Sequence, residues 1–238
     1  MYEISLQEML KSGVHFGHHK SKRHPKMCAF IFDTKQNISI IDLEKTKEKL
    51  EEALNVVAEL ASHGKTILFV GTKRQAKEIV KKYAIECEQP YIVESWIGGL
   101  FTNFNNVIKL SKKLTRLKRE RETGELGKYT KKEQLNFIRE IKKLEKVVGG
   151  IEKMTKMPDA IFITDIKEEK TAVREARKRK VLIIAIADTN VNPDLADYPI
   201  PANDDAVKSL NYLTKIVAET YKKNFKKPEE KAVVVRQI

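Results

Sequence analysis

No stretch of this sequence is apolar for anything near the roughly 20 residues that cross a bilayer, and its first residues lack the basic, apolar and small-residue succession of a secretory signal. A membrane-spanning or exported protein is therefore not expected. Cysteine is scarce as well. Cys28 and Cys87 make neither a CxxC pair nor a disulfide framework, which points to a reducing cytoplasm. A complete glycine-rich nucleotide loop is also missing. Gly64-Lys65-Thr66 ends like one, yet the glycine needed five places earlier is Glu59, and the triplet precedes a strand pattern instead of following one. No Ser-His-Asp or Cys-His arrangement can be assembled from the spacing, and the lone His63 beside Gly64 reads as a helix-end residue.

A further absence is local: between Glu8 and Asp33 there is no acid. That window holds five Lys or Arg and four of the five histidines, interleaved with Phe16 and with glycines that let a backbone approach a partner closely. It reads as a phosphate-contacting loop, with His15, His18, His19, Lys20, Lys22, Arg23 and Lys26 as candidate contacts. The competing reading has Val14 and Phe16 anchoring the loop to a core while the lysines are solvated.

The 238 residues, 41% of them hydrophobic, can bury a sizeable core in one or two domains. The net charge is +13, and its location matters more than its size. Residues 106–156 contribute +9 and residues 9–32 contribute +5, so the remainder counts as nearly neutral. This describes an ordinary soluble domain with two basic, RNA-facing additions. An anionic membrane would call for an amphipathic anchor or a lipidation site, and neither is visible.

Short β-branched runs at 66–71, 91–94, 160–164, 182–187 and 198–201 alternate with helical patterns at 74–86, 167–180 and 205–223, the rhythm of a doubly wound parallel sheet. A helix over 43–62 precedes the first main strand, and 30–32 and 38–41 can pair as a hairpin. Residues 105–151 differ. Val107, Leu110, Leu114 and Leu117, then Phe137, Ile141, Leu144, Val148 and Ile151, form two narrow apolar stripes, while Gly124, Gly127 and Thr130 mark a turn and a helix restart. We expect a protruding coiled-coil hairpin on the order of 30 Å long, inserted into a discontinuous domain of 1–104 and 152–225. Its free surface is basic, and Lys109, Lys112, Lys113 and Arg116 are candidate RNA contacts. The tail, 226–238, is charged and broken by Pro228, and is expected to be mobile.

Three further segments invite chemistry. Gly71-Thr72-Lys73-Arg74 follows a strand and opens a helix, where backbone N–H groups favour an anion; with one glycine it is a weak nucleotide motif, and a backbone phosphate contact by Lys73 or Arg74 is the better functional reading. A plain basic helix start competes with it. Trp96-Ile97-Gly98-Gly99-Leu100 could stack bases, although an isolated Trp beside Ile and Leu more often packs inward. Asp188 ends a strand, Asp194 and Asp197 sit in a turn, and Asp204 and Asp205 start the last helix; with His15 or His18 such carboxylates could hold a divalent ion, Asp188, Asp204, Asp205 and His18 being the candidates, while turn and cap roles for Asn203, Asp204 and Asp205 compete.

Several segments together resemble one family. Gly13-Val14-His15-Phe16-Gly17-His18 with Pro25-Lys26-Met27, Ile40-Ile41-Asp42-Leu43-Glu44-Lys45-Thr46, Phe69-Val70-Gly71-Thr72-Lys73-Arg74-Gln75-Ala76, Trp96-Ile97-Gly98-Gly99, Pro158-Asp159-Ala160-Ile161-Phe162, Asp188-Thr189-Asn190 and Ile200-Pro201-Ala202-Asn203-Asp204-Asp205-Ala206 follow the order found in bacterial small-subunit ribosomal protein two. The resemblance covers nearly the whole chain. It implies a flavodoxin-like sheet of order 2-1-3-4-5 with a protruding helical hairpin; independently of it, the residues offer no active site and no cofactor site beyond a candidate one for a structural Mg or other divalent ion at the acidic cluster. It further implies a cytoplasmic, structural place in the small subunit where head meets body, on ribosomal RNA, beside neighbouring proteins that include the large one capturing messenger RNA. Two positions depart from the family pattern: Ser95 stands where a basic residue is usual, and Lys180 and Leu182 replace a Gly and a Pro, so that helix must end without a glycine cap. The alternative to this reading is a doubly wound enzyme that modifies RNA or uses a nucleotide.

Overall fold

The computed structural model describes residues 4–226. The tail expected to be mobile lies outside them apart from Lys226, whose N–H reaches the carbonyl of Ala61 at 3.3 Å. A short helix α1 (Leu6–Lys11) leads into a small antiparallel sheet of β1 (Phe16–His19), β2 (Ile31–Lys35) and β3 (Ile38–Ile41), with β3 in the centre. Gln36 and Asn37 both have positive φ, 50° and 63°, the geometry a two-residue hairpin turn requires. The hairpin was legible in the sequence; β1 was not. Phe-Gly-His-His has little strand preference, and it is pairing with β3, Phe16 opposite Ile40, that extends it.

Helix α2 (Leu43–Ser62) starts where Asp42 accepts a hydrogen bond from the Glu44 N–H at 3.0 Å. Then come β4 (Ile67–Val70), α3 (Lys77–Glu86) and β5 (Tyr91–Ile92). The hairpin follows as α4 (Phe104–Glu122) and α5 (Lys131–Val148), and after it β6 (Ala160–Ile163), α6 (Lys170–Arg179), β7 (Leu182–Ala187), β8 (Tyr198–Pro201) and α7 (Val207–Asn224). Five strands form an all-parallel sheet in the order β5-β4-β6-β7-β8.

Strand alternation divides the core in two. One register row runs Tyr91, Phe69, Phe162, Ile184, Tyr198 and faces α2, α3 and α7. The residues between, such as Leu68, Val70, Ile161, Ile163 and Ile183, face α6 and the base of the hairpin.

The hairpin is built as two antiparallel helices, and Thr130 with Glu133 forms a reciprocal capping box at the restart. Its buried face differs from the stripe read in the sequence. Leu110 is 40% exposed, whereas Ile108 and Ser111 are buried. The cause is a third surface: the Ser111 hydroxyl donates to the Glu152 carbonyl at 3.3 Å, so α4 packs on the returning chain as well as on α5. Val107, Ile108, Leu114, Val148 and Ile151 belong to the same buried cluster as Leu68 and Ile161, so the hairpin's apolar stripe continues into the core beneath the sheet. A Cβ added to Gly150 would lie 2.1 Å from the Tyr91 carbonyl, which is how closely the hairpin's exit covers the edge strand.

Candidate nucleic-acid interface and the carboxylate cluster behind it

In an open α/β sheet ligands enter where the strand order reverses, outside the carboxyl ends of the strands. Here that crevice lies beyond β4 and β6, and the chain's own groups fill it. Glu169 accepts a hydrogen bond from the Thr72 N–H at 2.8 Å, occupying the anion position that the Gly71-Thr72-Lys73-Arg74 turn would otherwise offer. Burial raises the Glu169 pKa against that hydrogen bond. The Lys73 ammonium lies 3.2 Å from Asp165, 2.8 Å from Asp204 and 2.7 Å from Asp205. Burial disfavours its charge, yet the hydrogen bonds to Asp204 and Asp205 more than offset this and its pKa rises. Lys73, expected from sequence as a phosphate contact, is thus engaged inside the fold. Arg74 beside it is exposed.

The basic loop is fastened over this cluster. The His18 N–H donates to Thr189 Oγ1 at 2.8 Å, and the His24 N–H donates to the Thr189 carbonyl at 2.8 Å. A Cβ at Gly17 would sit 2.5 Å from Thr189 Cγ2, so the close approach that this glycine permits is to the chain itself. Thr189 is the residue whose part sequence reasoning missed; its signal was the Asp188-Thr189-Asn190 segment. The His18 ring bridges two carboxylates, Nδ1 to Asp188 at 3.1 Å and Nε2 to Asp205 at 3.4 Å. The hydrogen bond to Asp188 raises the His18 pKa, burial opposes it, and the fields of Asp188, Asp204 and Asp205 add to the rise. His18, Asp188 and Asp204 bring one nitrogen and two carboxylate oxygens within 4.8 Å of one another, a donor set compatible with a divalent ion. None of the three expected residues caps α7, whose N-cap position is Ala206; Asn203 instead closes the turn ahead of it, its Oδ1 accepting from the N–H groups of Asp205 at 2.8 Å and Ala206 at 3.0 Å.

The remaining candidates separate by whether their charge is already matched. His19, Lys20, Lys22, Lys109 and Lys112 are exposed, and Arg23 is half-buried; among the described residues none of the four lysines nor Arg23 is ion-paired. Lys26 is paired with Asp194, Lys113 with Glu140, and Arg116 with Glu120 at 3.4 Å. His15 is half-buried, its Nδ1 without a hydrogen-bond partner, and burial lowers its pKa. Trp96 packs inward: its indole N–H donates to Glu175 at 3.3 Å and its ring meets Phe101 edge-on at 5.2 Å, which removes it from base stacking.

A crevice filled by the chain's own side chains, a basic loop fastened over it and an inserted helical hairpin with a basic surface define a doubly wound α/β scaffold that displays positive charge. Comparison with known proteins narrows the class. Residues 9–224 match the family model of ribosomal protein S2. The chain is 48% identical over 219 residues to small ribosomal subunit protein uS2 of Chloroherpeton thalassium, covering 92% of this chain and 88% of that one. It is 46% identical to the uS2 protein of Aliarcobacter butzleri, over 87% of this chain and 78% of that one, and 43% identical to that of Helicobacter acinonychis, over 91% and 88%. The chain belongs to the ribosomal protein S2 family. It is a structural small-subunit ribosomal protein of translation and not an enzyme, and no helix among the described residues is long and apolar enough to cross a membrane.

Proposed function

We propose that the chain holds small-subunit ribosomal RNA by its phosphates, with the loop from His15 to Lys26 as the principal contact and the hairpin residues Lys109, Lys112, Lys113 and Arg116 as a second. The observation that carries this reading is the fastening of the loop through Thr189. It presents Lys20 and Lys22 outward, with the half-buried Arg23 beside them, on a fixed backbone, so little ordering entropy is lost on binding. His19 and Arg74, both exposed, are further candidate contacts. A place between head and body, with the messenger-capturing protein among the neighbours, follows from the family resemblance and is supported by the exposed aromatic residues Phe16 and Phe32 on the small sheet, the latter 76% exposed. The flavodoxin-like order 2-1-3-4-5 belongs to the same reading, since counting within the parallel sheet alone puts its second strand outermost beside the first. The domain division at 105 and 151 is supported by the antiparallel hairpin, while its apolar continuity with the sheet makes the two parts one packing unit. His18, Asp188 and Asp204 would hold a structural divalent ion, with Asp205 shared between His18 and Lys73; calorimetric titration of Mg2+ and Zn2+ into the chain and into Asp188→Asn tests it.

The test of RNA binding is affinity against salt. If about six phosphates are neutralised, the log-log slope is roughly −4 to −5. Replacing Lys20, Lys22 and Arg23 together by Ala weakens cosedimentation with small subunits and leaves the melting midpoint nearly unchanged, because exposed charges add little to folding. A salt-independent affinity, or a large drop in the midpoint, removes the proposal.

A further inference from the structure

We propose that the outer face of α6 is a third RNA-phosphate contact, a surface hidden in the sequence by charge arithmetic. Residues 167–180 hold seven Lys or Arg against three Glu. Two of those three carboxylates point inward. Glu169 is 3% exposed and binds the Thr72 N–H; Glu175 is 9% exposed and receives the N–H groups of Gly99 at 2.7 Å and Phe101 at 3.1 Å. Arg179 is also spent, its guanidinium donating to the carbonyls of Phe101 and Thr102 at 3.0 Å each. What remains outside is Lys167, Lys170, Arg174, Arg177, Lys178 and Lys180 with Glu168 as the one exposed acid, and among the described residues none of the six is ion-paired.

The helix orders this charge. Ala172, Val173 and Ala176 face the sheet, and at about 100° per residue Lys170, Arg174, Arg177 and Lys178 fall on the opposite side, a stripe about 12 Å long. Support of the helix dipole explains Arg177 and Lys178 in the last turn. It does not explain Lys167 and Lys170, which stand at the positive end and cost stability there. A row of like charges without counter-ions on its own surface is matched by an extended polyanion, and charge complementarity favours a nucleic-acid backbone over a point anion. α6 lies on the same side of the sheet as the hairpin, so the two bases of contact can serve one RNA. This inference rests on the RNA-bound reading above and adds a surface to it.

The test uses the full chain with small-subunit ribosomal RNA at 50 to 200 mM salt. Lys170→Ala, Arg174→Ala, Arg177→Ala and Lys178→Ala are combined in one variant; alanine keeps the helix, and an unchanged circular-dichroism melt verifies it. A control variant removes Lys47, Lys82, Lys208 and Lys215 from the opposite side. The α6 variant is expected to bind at least tenfold more weakly at 50 mM and to lose roughly 3–4 from the log-log slope, the control at most about 1. Wild-type chain that fails to bind RNA takes down the RNA-bound reading as a whole. Wild-type binding with an unchanged α6 variant overturns this inference alone, as does an equal loss in the control, which would make the effect one of net charge. An α6 variant that binds RNA normally but no longer retains a neighbouring protein in reconstituted subunits overturns it in favour of a protein contact.

Discussion

The Lys73 ammonium lies 2.8 Å from the Asp204 carboxylate, in a place where a nucleotide-binding relative of this architecture would keep open space. The two groups shift in the same direction for different reasons. Lys73 is shared among three carboxylates, which hold it charged, while burial and the neighbouring Asp188 and Asp165 push Asp204 up to about 7 despite Lys73. Removing Lys73 leaves several acids without a counter-charge. Lys73→Ala is expected to cost about 3–5 kcal/mol of stability, measured by urea unfolding, with the salt slope of RNA binding unchanged. A stable variant with a reduced slope would return Lys73 to the RNA surface.

Glu175 ties α6 to the turn from which the hairpin departs. Burial raises its pKa, and the hydrogen bonds from Gly99, Phe101, Trp96 and Thr102 outweigh this, so the folded value lies below the ordinary one. The contribution is therefore complete above the unfolded glutamate range and is lost as pH falls through the lowered folded value. Glu175→Gln should lose about 1.5–3 kcal/mol near neutrality. The difference from wild type should shrink in melts taken below about pH 4.

Lys180 closes α6 in the left-handed conformation, φ 56° and ψ 34°, where glycine is the usual residue. A side chain at that position costs about 1 kcal/mol. Lys180→Gly should raise the melting midpoint by roughly 2–4 °C. No rise would mean that the Lys180 side chain offsets the strain.

The hairpin can be shortened but not removed without cost. Its distal turn, from Arg119 to Phe137, buries little beyond Leu126, and replacing it by a short Gly-Ser link should leave the midpoint within a few degrees. Replacing 106–153 strips Val107, Ile108, Leu114, Val148 and Ile151 from the cluster under the sheet, each worth about 1.5–3 kcal/mol of burial. Circular dichroism of the two deletions separates a shared core from an autonomous insertion.

What the sequence determined by itself was whatever depends on neighbours along the chain. The bounds of α2, β7 and β8 and the restart at Thr130 came through as read, because apolar periodicity, β-branching and capping act within a few residues. The family signatures likewise carried the ribosomal identity. Helix α3 began at Lys77 instead of residue 74, since a distant carboxylate, Glu169, holds Thr72 in a turn. Tertiary structure alone decided that Lys73 would face acids, that Ile108 would be buried in place of Leu110, that β1 would be a strand, and that Glu169 and Glu175 would turn inward and leave α6 basic. Those outcomes require groups tens of residues apart to meet, 97 positions for Thr72 and Glu169 and 131 for Lys73 and Asp204. Charge can be counted along a chain, but which charges face solvent is fixed only when the sheet and its helices close over the rest.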